Sequence, residues 1–377
     1  MTNDFPMHVV QLLPELQEGG VERGVVEMNR ELVRRGVTST VISRGGRLAA
    51  EIAADGGRHV ALDVCSKNPF TAPRRARQLR QVLAELHPDL VHVRSRLPAW
   101  LLRIANRRLR LPVVSTVHGF NRVGAYSRIM TRADRVICVS HAIKAHVQQN
   151  YGTPEPVLRV IHRGVTPADF DPARLDAAFI ERFRREQRLA GRFVATCVGR
   201  ITPLKDYETF IRGIAAARKE LPNVVGVIVG GTHADRRGYE ARLRGLVREL
   251  DAGEAIRFAG SQQAMAEIYA LSDVVVSCSA KPESFGRALV EALAMETPVI
   301  ATAHGGALEI VREGENGLLF APGDAAALAA RLAAISRRTF TGLRPDVLAR
   351  FSLDAMVDRT LAVYFDVLEQ RAGRPAS

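Results

Sequence analysis

Two glutamates flank the start of one predicted helix in the segment PESFGRALVEALAMETPVIA. Glu283 lies in the loop before the helix predicted over residues 286–295, and Glu291 lies in its second turn. A carboxylate within the helix, as at Glu291, can accept hydrogen bonds from both hydroxyls of a ribose, because it has two acceptor oxygens. Backbone N–H groups at a helix start can hold a phosphate; here they belong to Ser284, Phe285 and Gly286. The segment predicts a nucleotide site, with two solvated glutamates on an ordinary helix as the alternative.

Two cations follow a predicted strand in the segment VGRITPLKDYETF. The strand ends before Gly199, and Arg200 and Lys205 lie in the loop that leads to the next helix. Fixed cations at the carboxyl edge of a parallel strand suit a diphosphate. Only five of the 53 lysines and arginines in the chain are lysines, so Lys205 differs from the chain's usual surface cation. A solvated loop charge is the alternative for both residues.

A glycine pair and a histidine are the candidates in the amino-terminal half. Gly19 and Gly20 open a predicted helix in PELQEGGVERG, where glycine lets the backbone approach a phosphate. An ordinary turn has the same pattern. The sequence is not GxGxxG, so a dinucleotide is not favoured. His118 ends the predicted strand VVSTVH and is either a site residue or a packed core histidine.

One acidic pair has the DxD form of a metal motif. Asp169 and Asp171 flank Phe170, but they do not follow a strand of the second half of the chain. Aspartate is common in turns and helix caps. We predict a turn or capping role here and no metal site.

Short β-branched runs alternate with helix-like segments along the whole chain. Near-continuous apolar runs of this kind are typical of parallel strands that are buried on both faces. The pattern predicts the α/β class, with two Rossmann-like doubly wound domains facing across a cleft. We predict domains at 1–170 and 171–350, and the helix-like tail 351–377 is a candidate to return to the first. The predicted strands are 8–14, 40–43, 59–64, 89–93, 113–118, 135–140, 157–161, 193–199, 224–231, 255–260, 273–279, 298–301 and 317–320.

The composition agrees with two globular domains. The chain has 377 residues, of which 47% are hydrophobic, and no apolar run is long enough to span a membrane. The amino terminus lacks the basic and apolar regions of a secretory signal. The four cysteines are far apart and form no CxxC pair, so we expect reduced thiols in a cytosolic protein.

Basic charge is concentrated in the first half. Residues 1–170 carry 25 Lys and Arg against 14 Asp and Glu. Such a half attracts a phosphorylated substrate or an anionic membrane surface; nucleic acid is not expected, because no recognisable binding motif is present. The segment PAWLLRIANRRLRL (98–111) either lies on a membrane or is an ordinary helix that covers the sheet.

Five segments together resemble the retaining glycosyltransferases of the GT-B fold, of the family-four type that includes bacterial lipopolysaccharide and polysaccharide glycosyltransferases. The resemblance covers nearly the whole chain. The chain departs from the family at His162 and Arg163, where the family has proline and asparagine, so no role is carried over there. The five segments are GGVERGVVEMNRELVRRG, ADRVICVSHAIKAHV, VIHRGVTPADFDP, VGRITPLKDYETFI and, most specifically, ESFGRALVEALAMETPVIATAHGGALEIVREGENGLLFAPGD.

The resemblance implies a role for each candidate. Arg200 and Lys205 would hold the donor diphosphate, and Glu291 would hold the ribose. Glu283 would lie near the transferred sugar and His118 would face it, which makes these two the catalytic candidates. The donor-binding set would be Gly20, Arg200, Lys205, Ser284, Phe285, Gly286 and Glu291.

The same resemblance implies transfer from a nucleotide-sugar with retention, through an oxocarbenium-like state, with fixed cations in place of a metal and no cofactor. We expect a lipid-linked or phosphorylated glycan acceptor, such as lipopolysaccharide core or O-antigen. The enzyme would be cytoplasmic, with the inner face of the membrane as a second location. The alternatives are a capsule or exopolysaccharide transferase and a non-catalytic nucleotide-sugar-binding protein.

Overall fold

The computed structural model describes residues 7–17, 19–232 and 237–373, and the chain divides into two compact units. The first contains the described residues up to His162 together with those from Leu353 onward, and the second contains Arg163–Ser352. The division falls a few residues before the predicted limit at 170. The reason is that Val165 already belongs to the second unit, where its N–H donates to the carbonyl of Phe351 at 2.9 Å.

The first unit is built on a seven-stranded parallel sheet with the order β3-β2-β1-β4-β5-β6-β7. Helices cover both faces, and apolar side chains fill the space between helices and sheet. Its strands are β1 His8–Leu12, β2 Thr38–Ser43, β3 Arg58–Ala61, β4 Leu90–Val93, β5 Val113–Val117, β6 Arg135–Cys138 and β7 Leu158–Val160. Its helices are α1 Gly20–Arg34, α2 Ala49–Ala54, α3 Ala72–Leu86, α4 Arg96–Ala105, α5 His141–Tyr151 and α14 Leu353–Ala372.

The second unit repeats this architecture with a six-stranded parallel sheet in the order β10-β9-β8-β11-β12-β13. Its strands are β8 Phe193–Val198, β9 Val224–Val229, β10 Ile256–Gly260, β11 Val274–Ser277, β12 Val299–Thr302 and β13 Gly317–Phe320. Its helices are α6 Ala177–Glu186, α7 Tyr207–Ala217, α8 Arg237–Glu249, α9 Met265–Ala270, α10 Arg287–Ala294, α11 Ala307–Ile310, α12 Ala325–Ile335 and α13 Leu343–Phe351. The two doubly wound α/β units predicted from the sequence are confirmed.

Each run predicted as a strand overlaps one. All six residues of β9 are buried, as expected of a strand with helices on both faces. Some predicted runs extend beyond the strand: the run 59–64 overlaps β3, which ends at Ala61. Asp171, in the DxD form, accepts a hydrogen bond from the N–H of Ala173 at 3.0 Å and caps a short 3-10 helix. The predicted capping role is therefore confirmed.

An aspartate stands before a strand at three equivalent places along the amino edges of the sheets. Asp89 accepts the N–H of His8 at 2.7 Å, and Asp273 accepts that of Val194 at 2.6 Å. Asp134 does the same for Val113 at 2.8 Å. Each contact fixes one strand of a pair against its neighbour, so it helps to set the register of β1–β4, β8–β11 and β5–β6.

Helix α14 completes the first unit. Asp366 on this helix pairs with Arg135 at 2.8 Å, and Arg371 pairs with Asp134 at 2.9 Å. The hydroxyl of the fully buried Tyr364 lies 2.5 Å from Nδ1 of His92 on β4. The helix therefore contributes ion pairs and a buried polar contact to the centre of the first sheet.

The basic segment 98–111 is not one continuous helix. α4 ends at Ala105, Leu102 is buried in the core, and the indole N–H of Trp100 donates to the carbonyl of Tyr126 at 3.0 Å. The apolar side of this segment therefore packs on the first unit, as expected of an ordinary helix that covers the sheet. Its exposed side carries Arg103, Ile104, Arg107 and Arg108.

The four cysteine thiols are free, and three of them are buried. Burial raises the pKa of Cys138 and Cys197 to about 12, so these thiols stay protonated. Among the helices that the structure describes, none has the length and apolarity that a membrane span requires.

The contact between Tyr364 and His92 makes a testable contribution to stability. Tyr364→Phe removes the hydroxyl and leaves a buried ring nitrogen without its partner, so we expect a loss of about 1–3 kcal/mol in the free energy of unfolding. Urea unfolding followed by circular dichroism measures this loss. Tyr126→Phe, at a half-exposed position, is the control and should change stability by less than about 0.5 kcal/mol. Equal midpoints for the two variants would contradict the assignment.

Candidate functional site

The strand order reverses between β8 and β11 in the second unit. The chain runs outward from β8 to β10 and then returns to place β11 on the other side of β8. Loops that leave the carboxyl ends of such a strand pair diverge and open a crevice, which is the usual ligand site of an open α/β sheet. The loop after β8 carries Arg200 and Lys205, and the loop after β11 carries Glu283. The predicted residues thus follow the two strands that flank this reversal.

The loop after β8 has little freedom. Gly199 has a φ of +149°, which favours glycine, and the hydroxyl of the buried Tyr207 donates to its carbonyl at 2.6 Å. A Cβ on Gly230, in the turn after β9, would stand only 1.8 Å from that carbonyl oxygen, so this position must also be glycine. Arg200 is exposed, and among the described residues its side chain has no ion pair. The loop therefore presents a solvent-facing guanidinium on a rigid backbone.

Lys205 and Glu283 form an ion pair across the reversal. Nζ of Lys205 donates to Oε1 of Glu283, which also accepts the hydroxyl of Ser279. Burial alone would raise the pKa of Glu283, but the adjacent ammonium and these two hydrogen bonds outweigh burial and lower it. Glu283 is thus held as a carboxylate beside a cation, at the edge where a ligand would bind.

The loop that contains Glu283 is held by the loop after β12. The N–H of Gly306 donates to the carbonyl of Glu283 at 2.8 Å, and Nε2 of His304 lies 2.8 Å from the carbonyl of Ser279. A Cβ on Gly305 would lie 2.5 Å from the Glu283 carbonyl oxygen, so this approach requires glycine. Three loops therefore fix the position of the Glu283 carboxylate.

Glu291 is held on α10 by two other side chains. One carboxylate oxygen accepts the Nε–H of Arg287 at 2.6 Å, and the other accepts the hydroxyl of the fully buried Tyr269 at 2.7 Å. Each oxygen keeps a second lone pair, so the carboxylate can still accept two ligand hydroxyls. The helix begins at Arg287, one residue later than predicted, with Gly286 at its N-cap. Ser284 is half-buried, whereas Phe285 and Gly286 are buried.

The remaining candidates lie in the first unit. Gly20 is the first residue of α1, and Gly19 precedes it with a φ of +139°. His118 directly follows β5, is half-buried, and lies close enough to His92 to contribute to lowering its pKa. Both candidates thus occupy the carboxyl edge of the first sheet.

Several residues that shape the site were not singled out from the sequence. Tyr269 and Arg287 position Glu291, and Ser279 binds Glu283. Gly305 and Gly306 lie within the family segment, and a glycine pair in the turn after an apolar strand is a signal of close backbone approach. Tyr269 gave no such signal, because its partner lies 22 residues away.

Comparison with known proteins finds relatives of this chain. The model for glycosyltransferase family 4 matches residues 18–169, and the model for glycosyl transferases group 1 matches residues 179–339. A D-inositol 3-phosphate glycosyltransferase of Kineococcus radiotolerans is 30% identical, over 94% of this chain and 92% of the relative. One of Acidothermus cellulolyticus is 30% identical, over 75% of this chain and 68% of the relative.

Solved structures show the same architecture. The crystal structure of a glycosyltransferase from Rickettsia africae ESF-5 has a TM-score of 0.87 and 28% identity, covering 96% of this chain and 98% of that one. The Anabaena protein HepE, in complex with UDP and glucose, has a TM-score of 0.83 and 21% identity, covering 96% of this chain and 100% of that one. The second likeness concerns the fold alone.

The ion pair between Lys205 and Glu283 predicts a particular pH dependence. Because its folded-state pKa is lowered, Glu283 stabilises the fold above its unfolded pKa of about 4.3, and this contribution is lost as the pH falls through the folded pKa. In Lys205→Met, burial without the ammonium raises that pKa, so the charged carboxylate destabilises the fold at neutral pH. We expect a loss of about 2 kcal/mol at pH 7 that shrinks as the pH approaches 4.

Urea unfolding of both proteins from pH 7 to pH 4 measures this difference. A double variant, Lys205→Met with Glu283→Gln, should recover much of the loss, since no charge is left unpaired. Lys144→Met breaks a more exposed ion pair with Glu155 and is the matched control, expected to change stability by less than about 1 kcal/mol. A pH-independent loss in Lys205→Met would refute the ion-pair account.

Proposed function

Because the chain belongs to the family 4, group 1 glycosyltransferases of the GT-B fold, which move sugar from nucleotide-sugars, we propose that it transfers a hexose to a phosphorylated acceptor with retention of configuration. The observation that carries this proposal is the arrangement at the β8–β11 reversal. The loop after β8 carries Lys205 and the exposed Arg200, Lys205 is bound to the half-buried carboxylate of Glu283 after β11, and the carboxylate of Glu291 follows on α10. Two cations between two carboxylates would suit a diphosphate flanked by a sugar and a nucleoside.

We assign the donor diphosphate to Arg200 and Lys205. Arg200 supplies a guanidinium on a rigid loop, and Lys205 supplies an ammonium that Glu283 holds in place. Glu291, with its two oxygens oriented by Arg287 and Tyr269, is assigned to the ribose hydroxyls. In the first unit, Gly20 is assigned to the diphosphate and His118 to the transferred sugar, on the family resemblance.

Charge that develops on the leaving diphosphate is stabilised by these fixed cations. Stabilising charge where it develops in the transition state is commonly the largest contribution to catalysis. As the bond to the sugar breaks, the sugar gains oxocarbenium character, which the carboxylate of Glu283 favours by its negative charge. The leaving phosphate oxygen takes the proton of the acceptor hydroxyl on the same face. In this mechanism the cations replace a metal ion.

The acceptor is a phosphorylated compound in this proposal. Two relatives that share 30% identity carry the name D-inositol 3-phosphate glycosyltransferase, which supports a small phosphorylated polyol. A lipid-linked glycan of lipopolysaccharide core or O-antigen type is the second candidate. Its support is the excess basic charge of residues 1–170 and the exposed arginines after the middle of α4, which are Arg103, Arg107 and Arg108.

Replacing either donor cation should weaken nucleotide binding. Arg200→Ala or Lys205→Ala removes a charged hydrogen bond to the diphosphate, so we expect the affinity for the correct nucleotide, UDP or GDP, to fall about 10- to 100-fold by calorimetry. Glu291→Gln should weaken the binding of nucleotide but not that of inorganic pyrophosphate, because Glu291 is assigned to the ribose, which pyrophosphate lacks. Turnover should persist in EDTA. Unchanged nucleotide affinity in both alanine variants would overturn the donor-site assignment.

The two acceptor classes can be separated by one comparison. The triple variant Arg103→Glu/Arg107→Glu/Arg108→Glu reverses the exposed charge of α4 and the turn after it. If the acceptor is a small phosphorylated polyol, the triple variant should turn over soluble D-inositol 3-phosphate like the wild type. If the acceptor is lipid-linked, turnover on anionic liposomes and co-sedimentation with them should both fall, most clearly at low salt.

A further inference from the structure

Arg94 is a buried cation without an acidic partner. It directly follows β4, and the residue is only 8% exposed. Nη2 donates to Oε1 of Gln11 at 2.6 Å, and Nε is buried without a hydrogen-bond partner. Within residues 7–17, 19–232 and 237–373, no carboxylate forms an ion pair with it. Burying a charge in this way is costly unless an ion or a ligand compensates it.

The other buried arginines show how this chain normally satisfies such a group. Arg135 is 9% exposed and donates to Asp366 at 2.8 Å and to the carbonyl of Asp134 at 2.9 Å. Arg75 is 6% exposed and donates to the Thr71 hydroxyl and the Asn68 carbonyl. Arg94 has a single neutral acceptor instead. Its position therefore differs from that of a structural arginine in this chain.

The neighbours of Arg94 supply no negative charge. Both ring nitrogens of His92 are occupied, Nδ1 by the Tyr364 hydroxyl and Nε2 by the Thr116 hydroxyl at 2.7 Å. Burial, with Arg94 and His118 nearby, lowers the pKa of His92 well below its ordinary value, so the ring is neutral. Burial raises the pKa of Tyr364 to about 12, so its hydroxyl is neutral too. Among the described residues, the cluster of Arg94, His92 and Tyr364 has one positive charge and no carboxylate that pairs with it.

Arg94 lies at the edge of the first sheet where open α/β sheets usually bind ligands. The strand order of the first unit reverses between β1 and β4, and the N–H of Arg94 donates to the carbonyl of Leu12 at the carboxyl end of β1. Ligands of open α/β sheets bind at such a reversal. Since Nε is buried and Nη2 is bonded, the small exposed surface of the side chain leaves Nη1 as the nitrogen that can meet a ligand.

We infer that Arg94 binds the phosphate group of the acceptor and so selects anionic over neutral acceptors. This inference rests on the proposed glycosyl transfer to a phosphorylated acceptor. A guanidinium offers a planar set of N–H donors that suits phosphate oxygens, and it is less strongly hydrated than an ammonium. The missing counter-charge of the buried cation is then supplied by the substrate itself. His118, which follows the neighbouring strand β5, lies in the same cluster, so an acceptor held here reaches the predicted sugar-facing histidine.

Inorganic phosphate tests the site without any glycosyl transfer. An Arg200→Ala/Lys205→Ala background removes phosphate binding at the donor loop, and Arg94→Met is added to it. Phosphate should raise the melting temperature of the background and leave that of the Arg94→Met protein unchanged. Arg135→Met in the same background is the matched control and should keep the phosphate response. Equal phosphate responses with and without Arg94 would overturn the inference.

Stability separates a ligand-binding arginine from a structural one. Arg94→Met removes an uncompensated buried charge, so without ligand its melting temperature should equal or exceed that of its parent. Arg135→Met breaks a satisfied ion pair, so its melting temperature should fall. If Arg94→Met instead lowers the melting temperature as much as Arg135→Met does, Arg94 is structural and the inference fails.

Kinetics connect the site to the acceptor. With wild-type donor residues, Arg94→Met should raise the KM for D-inositol 3-phosphate about 10- to 100-fold, the effect of a lost charged hydrogen bond, while the affinity for nucleotide stays within about twofold. Arg94→Lys should recover part of the loss. An unchanged KM would overturn the inference. A wild-type protein that binds no nucleotide-sugar would instead defeat the proposed function, and the phosphate response would still decide whether Arg94 binds an anion.

Discussion

Each unit is a wholly parallel sheet, so all of its strands end at the same edge. A crevice opens at that edge where neighbouring strands send their chains to opposite sides. This happens once in each unit, between β1 and β4 and between β8 and β11. The polar residues that matter most follow these strands: Arg94 in the first unit, and Lys205 and Glu283 in the second. The strand order thus decides where chemistry can occur.

The two reversals differ in how their charge is balanced. In the second unit, the ammonium of Lys205 already has the Glu283 carboxylate as its partner, so a bound diphosphate would share the cation with that carboxylate. In the first unit, the Arg94 guanidinium has only a neutral amide oxygen. The first arrangement keeps a negative charge beside a cation, and the second leaves the attraction of the guanidinium for an anion unsatisfied. Each charge arrangement depends on the neighbouring strand: β1 brings the Gln11 amide to Arg94, and the loop after β11 brings the Glu283 carboxylate to Lys205.

The sequence predicts the strands well because apolar β-branched runs buried on both faces are a strong local signal, as in β9. Lys205, Glu283 and Glu291 could also be found, since they occur in short segments with recognisable spacing. Arg94 could not, because nothing local distinguishes it from Arg96, the other arginine in VHVRSRLPAW. Its burial depends on contacts that are distant in the sequence: Gln11 binds it directly, and Tyr364 binds the adjacent His92. The end of α4 at Ala105 was missed for a related reason, since the following residues continue a helix-like pattern.

The return of α14 to the first unit has a consequence for the order of events during synthesis. The first sheet is complete once β7 has left the ribosome, yet its buried His92 meets Tyr364 only after the whole second unit has been made. Domains generally fold as units while the chain emerges, and the second unit is continuous in sequence. The earlier half of this protein is therefore the one that finishes folding last. Until α14 docks, the buried side of β4 lacks its cover and exposes apolar surface to chaperones or to other nascent chains.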